Sequence, residues 1–178
     1  LDFDNLTEEN IYVLDSPILT NSQFKKFKRF FSKKTKIIDC TFDISSSLKE
    51  RIEAIREEAE TSVREGSTCI ILSDKNISNQ KASIPSILTV GAVHSHLVKH
   101  GLRGYCSLNI ECSDALDTHS FAILIGVGAT TVNPYLAIDS IFQRFEKKLF
   151  GKSDYESCVV KFKKSIDAGL LKIMSKMG

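Results

Sequence analysis

The chain has 178 residues, 42% of them hydrophobic, enough to bury an ordinary core without disulfides or metals. Its 24 Lys and Arg stand against 22 Asp and Glu, and a net charge of only +2 gives no global pull toward nucleic acid or an acidic partner. The longest uncharged apolar run, Ser120 to Tyr135, is broken by Gly126, Gly128 and Pro134 and falls short of the roughly 20 apolar residues that cross a bilayer, so no membrane span is expected.

In chain order, Leu1-Asp2-Phe3-Asp4 carries neither an initiator Met nor the basic and apolar regions of a secretory signal, and reads as an interior stretch of a longer protein. Thr20-Asn21-Ser22-Gln23 is a capping box that opens a helix with Phe24, Phe27 and Phe31 at helical spacing. A strand is expected over Lys36 to Phe42. Ser47-Leu48-Lys49-Glu50 is a second capping box, and Leu48, Ile52, Ile55, Ala59 and Val63 follow at steps of three or four up to Gly66. Thr68 to Leu72 is a continuous apolar run suited to a parallel strand covered on both faces, and it ends in the polar loop Ser73-Asp74-Lys75-Asn76.

Ser83-Ile84-Pro85 starts the next helix, with Pro85 in its first turn, Gly101 at its end and a strand over Tyr105 to Ile110 beyond it. Thr118 to Val127 reads as a buried helix capped by Gly128, and Thr130-Thr131-Val132 as a very short strand. Asn133 and Pro134 are expected as N-cap and first residue of a helix reaching about Phe150. A last amphipathic helix covers Asp154 to Ala168, with Gly169 breaking it and Leu170 to Met174 left as an apolar tail. Helices alternating with short, mostly parallel strands define an α/β class.

Five cysteines, Cys40, Cys69, Cys106, Cys112 and Cys158, form an odd set without a Cys-x-x-Cys pair, and buried reduced thiols in a reducing compartment are expected. His94, His96, His100 and His119 raise a metal site, since His96 and His100 at i, i+4 share a helix face; no Glu follows in an H-E-x-x-H arrangement, and packed or helix-end histidines are the simpler reading. Gly126-Val127-Gly128-Ala129-Thr130-Thr131 looks like the opening of a phosphate loop but lacks a third glycine and a Gly-Lys-Ser/Thr sequence, so a helix C-cap at Gly128 competes with it. The lysines and aromatics from Phe24 to Lys34 could suit nucleic acid, yet the aromatics fall at core spacing and leave a solvated lysine face. Glu111, Asp114 and Asp117 cluster near a strand end, where turn formation and capping explain Asp114 and Asp117 equally well. No catalytic, cofactor-binding or metal-ligating residue is assigned. An alternative is a stand-alone α/β domain that binds a phosphorylated small molecule near Gly126 to Thr131, using the strand ends at Asn76, Glu111 and Asn133.

Several runs together resemble the central domain of glutamate synthase. They are Ile84-Pro85-Ser86, Gly91 to Leu97, Leu102-Arg103, Asp117-Thr118-His119, Phe121-Ala122, Gly126 to Ala137 and Ala168 to Gly178, with Leu14 to Thr20 similar to the family's entry into this region. The likeness spans nearly the whole chain. It implies a domain that joins an N-terminal glutaminase to an FMN-binding barrel carrying an iron-sulfur cluster, in an enzyme that turns glutamine and 2-oxoglutarate into two glutamates with ammonia passed internally. It also implies a rudimentary, degenerate relative of the FMN barrel, incomplete as a TIM-type fold. Residues 1–178 are then one domain and residues 169–178 a junction into the barrel. The family's nucleophile, FMN ligands and cluster cysteines match no residue of this sequence, so the fragment alone is expected to be inactive and to hold no cofactor. The partners implied are the flanking glutaminase and FMN domains, with no nucleic acid and no membrane, in the cytoplasm or plastid stroma.

Overall fold

The computed structural model describes residues 12–177, so the readings of Leu1 to Asp4 and of Gly178 lie outside the described residues. Helix α1 (Asn21–Phe30) opens with the expected reciprocal box: the Gln23 N–H donates to Thr20 Oγ1 at 3.3 Å and the Thr20 N–H to Gln23 Oε1 at 3.0 Å. β1 (Thr35–Asp39) and β2 (Thr41–Asp43) follow, then α2 (Leu48–Arg64), begun by Ser47, whose hydroxyl accepts the Glu50 N–H. After α2 come β3 (Cys69–Ser73), β4 (Lys81–Ser83), α3 (Ser86–Lys99), β5 (Ser107–Glu111), α4 (Thr118–Gly126), β6 (Thr131–Asn133), α5 (Tyr135–Glu146) and α6 (Tyr155–Met177).

The class is α/β, as expected. β1, β3, β5 and β6 form a parallel sheet in that spatial order, and a parallel bridge from Ile18 to Val132 extends it past β6. Spatial order follows chain order, without the reversal of a doubly wound sheet. β2 and β4 pair antiparallel as a separate two-stranded ribbon.

Strand alternation divides the sheet's faces. Ile38, Ile70, Leu72, Leu108, Ile110 and Val132 point to the larger core, where they meet Ile55 and Ala59 of α2, Val90, Val93 and Leu97 of α3, and Phe121 and Leu124 of α4. Ile166 and Leu170 of α6 close this core from outside, and Phe162 meets Phe121 edge-on. On the other face Cys69 and Ile71 pack under Leu19 and under Phe24 and Phe27 of α1, with Tyr12, Leu14 and Phe31 flanking α1 in the same layer.

Four expectations shift. The strand expected over Lys36 to Phe42 is two strands: at Cys40 the chain leaves the parallel sheet, its N–H donating to the Ser73 carbonyl at 2.7 Å and its carbonyl accepting the Ile84 N–H at 2.9 Å. Pro85 is the N-cap of α3 rather than part of its first turn, and Asp114 supplies the cap by accepting the Ser86 N–H at 2.9 Å. Asn133 belongs to β6, Pro134 takes the N-cap, and α5 stops at Glu146 short of Phe150. Gly169 does not break the last helix, because its missing Cβ lets α6 lie directly against Thr118 of α4, where an added Cβ would come within 2.5 Å of Cγ2.

Candidate functional site

The face beneath α1 carries polar rows that apolar counting along the chain does not reveal. Register aligns Ile71 with Asn109 and Thr131, and one step further aligns Asp39, Ser73, Glu111 and Asn133 at the carboxyl ends of the strands. Asn109 is fully buried and satisfied: its amide donates to the Ile70 carbonyl at 3.1 Å and to Ser107 Oγ at 3.0 Å, and its oxygen accepts Thr131 Oγ1 at 2.8 Å. Asn133 donates to the Leu19 carbonyl at 2.9 Å and to Asn21 Oδ1 at 3.0 Å, fastening the start of α1 over the sheet edge.

Glu111 is the centre of the outer row. Its side chain is 4% exposed and receives Lys28 at 3.2 Å and Lys75 at 2.9 Å on Oε1, with Ser73 Oγ at 2.8 Å on Oε2. Burial alone would raise this carboxyl, but the hydrogen bonds from Lys75 and Ser73 and the charges of both lysines outweigh it and hold the group below its ordinary range. Beside it, Asp74 Oδ2 accepts the Ser113 N–H at 3.0 Å and its hydroxyl at 2.6 Å. Burial and then the charge of Asp74 push the Tyr135 phenol upward, so it stays neutral. Asp39 accepts Thr41 Oγ1 at 2.8 Å and Asn76 at 3.0 Å, which hold it ionised against the cost of burial. Glu111 and Asp39 are turned onto protein donors, and Asp74 uses Oδ2 in this way while its buried Oδ1 has no partner among the described residues; the row ties α1, β3, β5 and the β3–β4 loop together.

The other candidates separate. Gly126 to Thr131 leads into the amino end of β6, opposite to the ligand-binding side of a parallel sheet. The N–H groups of Val127, Gly128, Ala129 and Thr130 all donate to backbone carbonyls, those of Ile123, Ile125, Leu124 and Leu108, which leaves these four without a donor for phosphate. The C-cap of α4 is Val127, one residue before the expected position, and Gly128 follows it as the positive-φ residue of the helix end, at φ +116°. Arg103 clasps this turn, donating to the Gly128 carbonyl at 2.8 Å, the Cys106 carbonyl at 2.7 Å and His94 Nδ1 at 3.2 Å. His94 is thereby a packed histidine, while His119 is exposed in the first turn of α4. Asp117 caps α4 through the Ser120 N–H at 2.8 Å.

Phe24 and Phe27 of the basic stretch are buried, Lys25, Lys26 and Arg29 are solvated, and Lys28 turns back to Glu111 over the Phe24 ring. Cys40, Cys69, Cys106 and Cys112 are buried, and burial pushes the Cys40 thiol up to about 12, far from a reactive thiolate. His96 and His100 meet Glu60 of α2, a residue 36 positions away from His96 that the helix-face argument could not have found. Among the described residues no helix is long and apolar enough to cross a membrane.

A family model for the glutamate synthase central domain matches residues 3–178. The chain belongs to the glutamate synthase central domain family. Its curated relatives agree: it is 45% identical, over 97% of its length, to the glutamate synthase [NADPH] large chain of Azospirillum brasilense, and 38% identical, over 93%, to that of Bacillus subtilis. It is also 35% identical, over 93%, to the chloroplastic ferredoxin-dependent glutamate synthase of Spinacia oleracea. The chain spans 12% of the A. brasilense protein and 11% of the other two.

Proposed function

We propose that this central domain is a coupling element of a glutamate synthase: it holds a glutaminase domain and an FMN-binding synthase domain at a set spacing, so that ammonia released by one reaches the other. FMN and an iron-sulfur cluster belong to the rest of the polypeptide, which works in the cytoplasm or plastid stroma on glutamine and 2-oxoglutarate. Residues 1–178 form one unit, and residues 169–178 are its junction to the FMN domain.

The observation that carries this reading is on α6. Val159, Ile166 and Leu170 face inward, while Leu171, Met174 and Met177 are 66%, 66% and 83% exposed on the outer side. Such a row on a helix otherwise packed into the fold is a surface for a neighbouring module. Fixed spacing makes the transfer step effectively intramolecular, which is where such a domain contributes to rate. Calorimetric titration of this chain with FMN tests the reading: no saturable heat is expected, and micromolar binding would contradict it.

A further inference from the structure

His96 stands in the last turn of α3 and His100, one turn on, is the helix's C-cap, and the structure sets a carboxylate from a second helix against both. Glu60 Oε2 of α2 is 2.6 Å from His96 Nε2 and 3.7 Å from His100 Nδ1, and the two imidazole centroids are 4.3 Å apart. One ligand-capable atom from each residue lies within 4.8 Å of the other two. We propose that Glu60, His96 and His100 form a binding site for a divalent transition ion of the zinc type, which clamps α2 to α3.

The donor set selects the class of ion. Two imidazole nitrogens and one carboxylate oxygen, with a fourth position left for water, suit zinc and its first-row neighbours, whereas calcium and magnesium take oxygen ligands. The surroundings orient the ligands as outer partners do in metal sites. Arg64 occupies Glu60 Oε1 from Nε and Nη2, both at 2.8 Å, which leaves Oε2 facing the rings. The His100 Nδ1–H donates to the His96 carbonyl at 2.9 Å, so this ring would ligate through Nε2, turning from the metal-free pose in which Nδ1 lies 3.7 Å from Glu60 Oε2. The Glu60 and His96 side chains are 20% and 11% exposed, sheltered from bulk water but within reach of an ion.

Arg56 opposes the ion. Its Nη2 lies 3.4 Å from His96 Nδ1, and a guanidinium only donates, so without metal Nδ1 accepts and the Nε2–H donates to Glu60. On binding, the ion takes the Nε2 lone pair, the ring's single proton moves to Nδ1 through solvent, and Arg56 turns aside. Arg56 Nε has no partner among the described residues, so nothing there pins the guanidinium on that side.

The test uses the full polypeptide that carries this domain, stripped of loosely held metal by a chelator and titrated with zinc chloride. The unaltered protein should take up one equivalent more than the His96→Gln, His100→Gln double variant, and Arg56→Gln should lower Kd several-fold. A readout that needs no variant is anomalous scattering at the zinc edge from crystals soaked in zinc, with a peak expected among Glu60, His96 and His100. Equal uptake by the unaltered protein and the double variant, or anomalous density only elsewhere, would overturn the proposal.

Discussion

At Gly128 the backbone is left-handed and a Cβ would collide with Nδ1, Cγ and Cβ of His94, while the glycine's carbonyl accepts Arg103. Gly128→Ala therefore combines backbone strain with a steric conflict, and we expect a loss of about 1–3 kcal/mol in denaturant unfolding. The helix end itself was legible from Gly128 after an apolar run; the His94 contact was not, because it joins residues 34 positions apart through tertiary packing. Glu111 makes a second residue-level prediction. Its folded pKa lies below the ordinary 4.5, so its stabilisation is present above that value and is lost as pH falls through the folded pKa. Glu111→Gln should cost about 1–3 kcal/mol near neutral pH and flatten the fall in stability below about pH 4.5, as read from unfolding curves over a pH series. A variant that loses stability as steeply as the unaltered chain would remove Glu111 from that account.

At the scale of elements, the capped helices α1, α2 and α4 lie where their residues place them, because Thr20, Ser47 and Asp117 each satisfy a backbone N–H locally. Elements decided by distant packing were less legible. The β2–β4 ribbon has three residues per strand and a polar, exposed Lys81, too little pattern to register. The run from Lys36 to Phe42 does not reveal that the chain changes sheets at Cys40. The polar rows under α1 hide within strands that read as apolar because Asn109 and Glu111 count singly in sequence and become rows only in register. Glu60 entered the histidine site only when α2 packed on α3.

At Gly169 local propensity, a cost of about 1 kcal/mol relative to Ala, yields to the fit against Thr118. Gly169→Ala should therefore destabilise the fold despite the better helix former. In a Thr118→Ala background the same change should cost less, and thermal unfolding of the four proteins would measure the coupling. Additive effects would mean that the close α4–α6 approach does not decide the helix's continuity.

For the whole molecule, the larger core and the α1 layer bury both faces of the parallel sheet, while α6 offers an apolar row to the outside. Stability and docking can therefore be separated. Leu171→Asp and Met174→Asp replace exposed side chains, so unfolding of this domain should shift by about 0.5 kcal/mol or less. The most direct measurement follows glutamine consumed and glutamate formed by the full-length protein bearing both substitutions. Coupling through this domain predicts that glutamine consumption exceeds matched glutamate formation while synthesis from added ammonia persists. Strict coupling retained in the double variant, or loss of the ammonia-supported reaction with the fold intact, would contradict it.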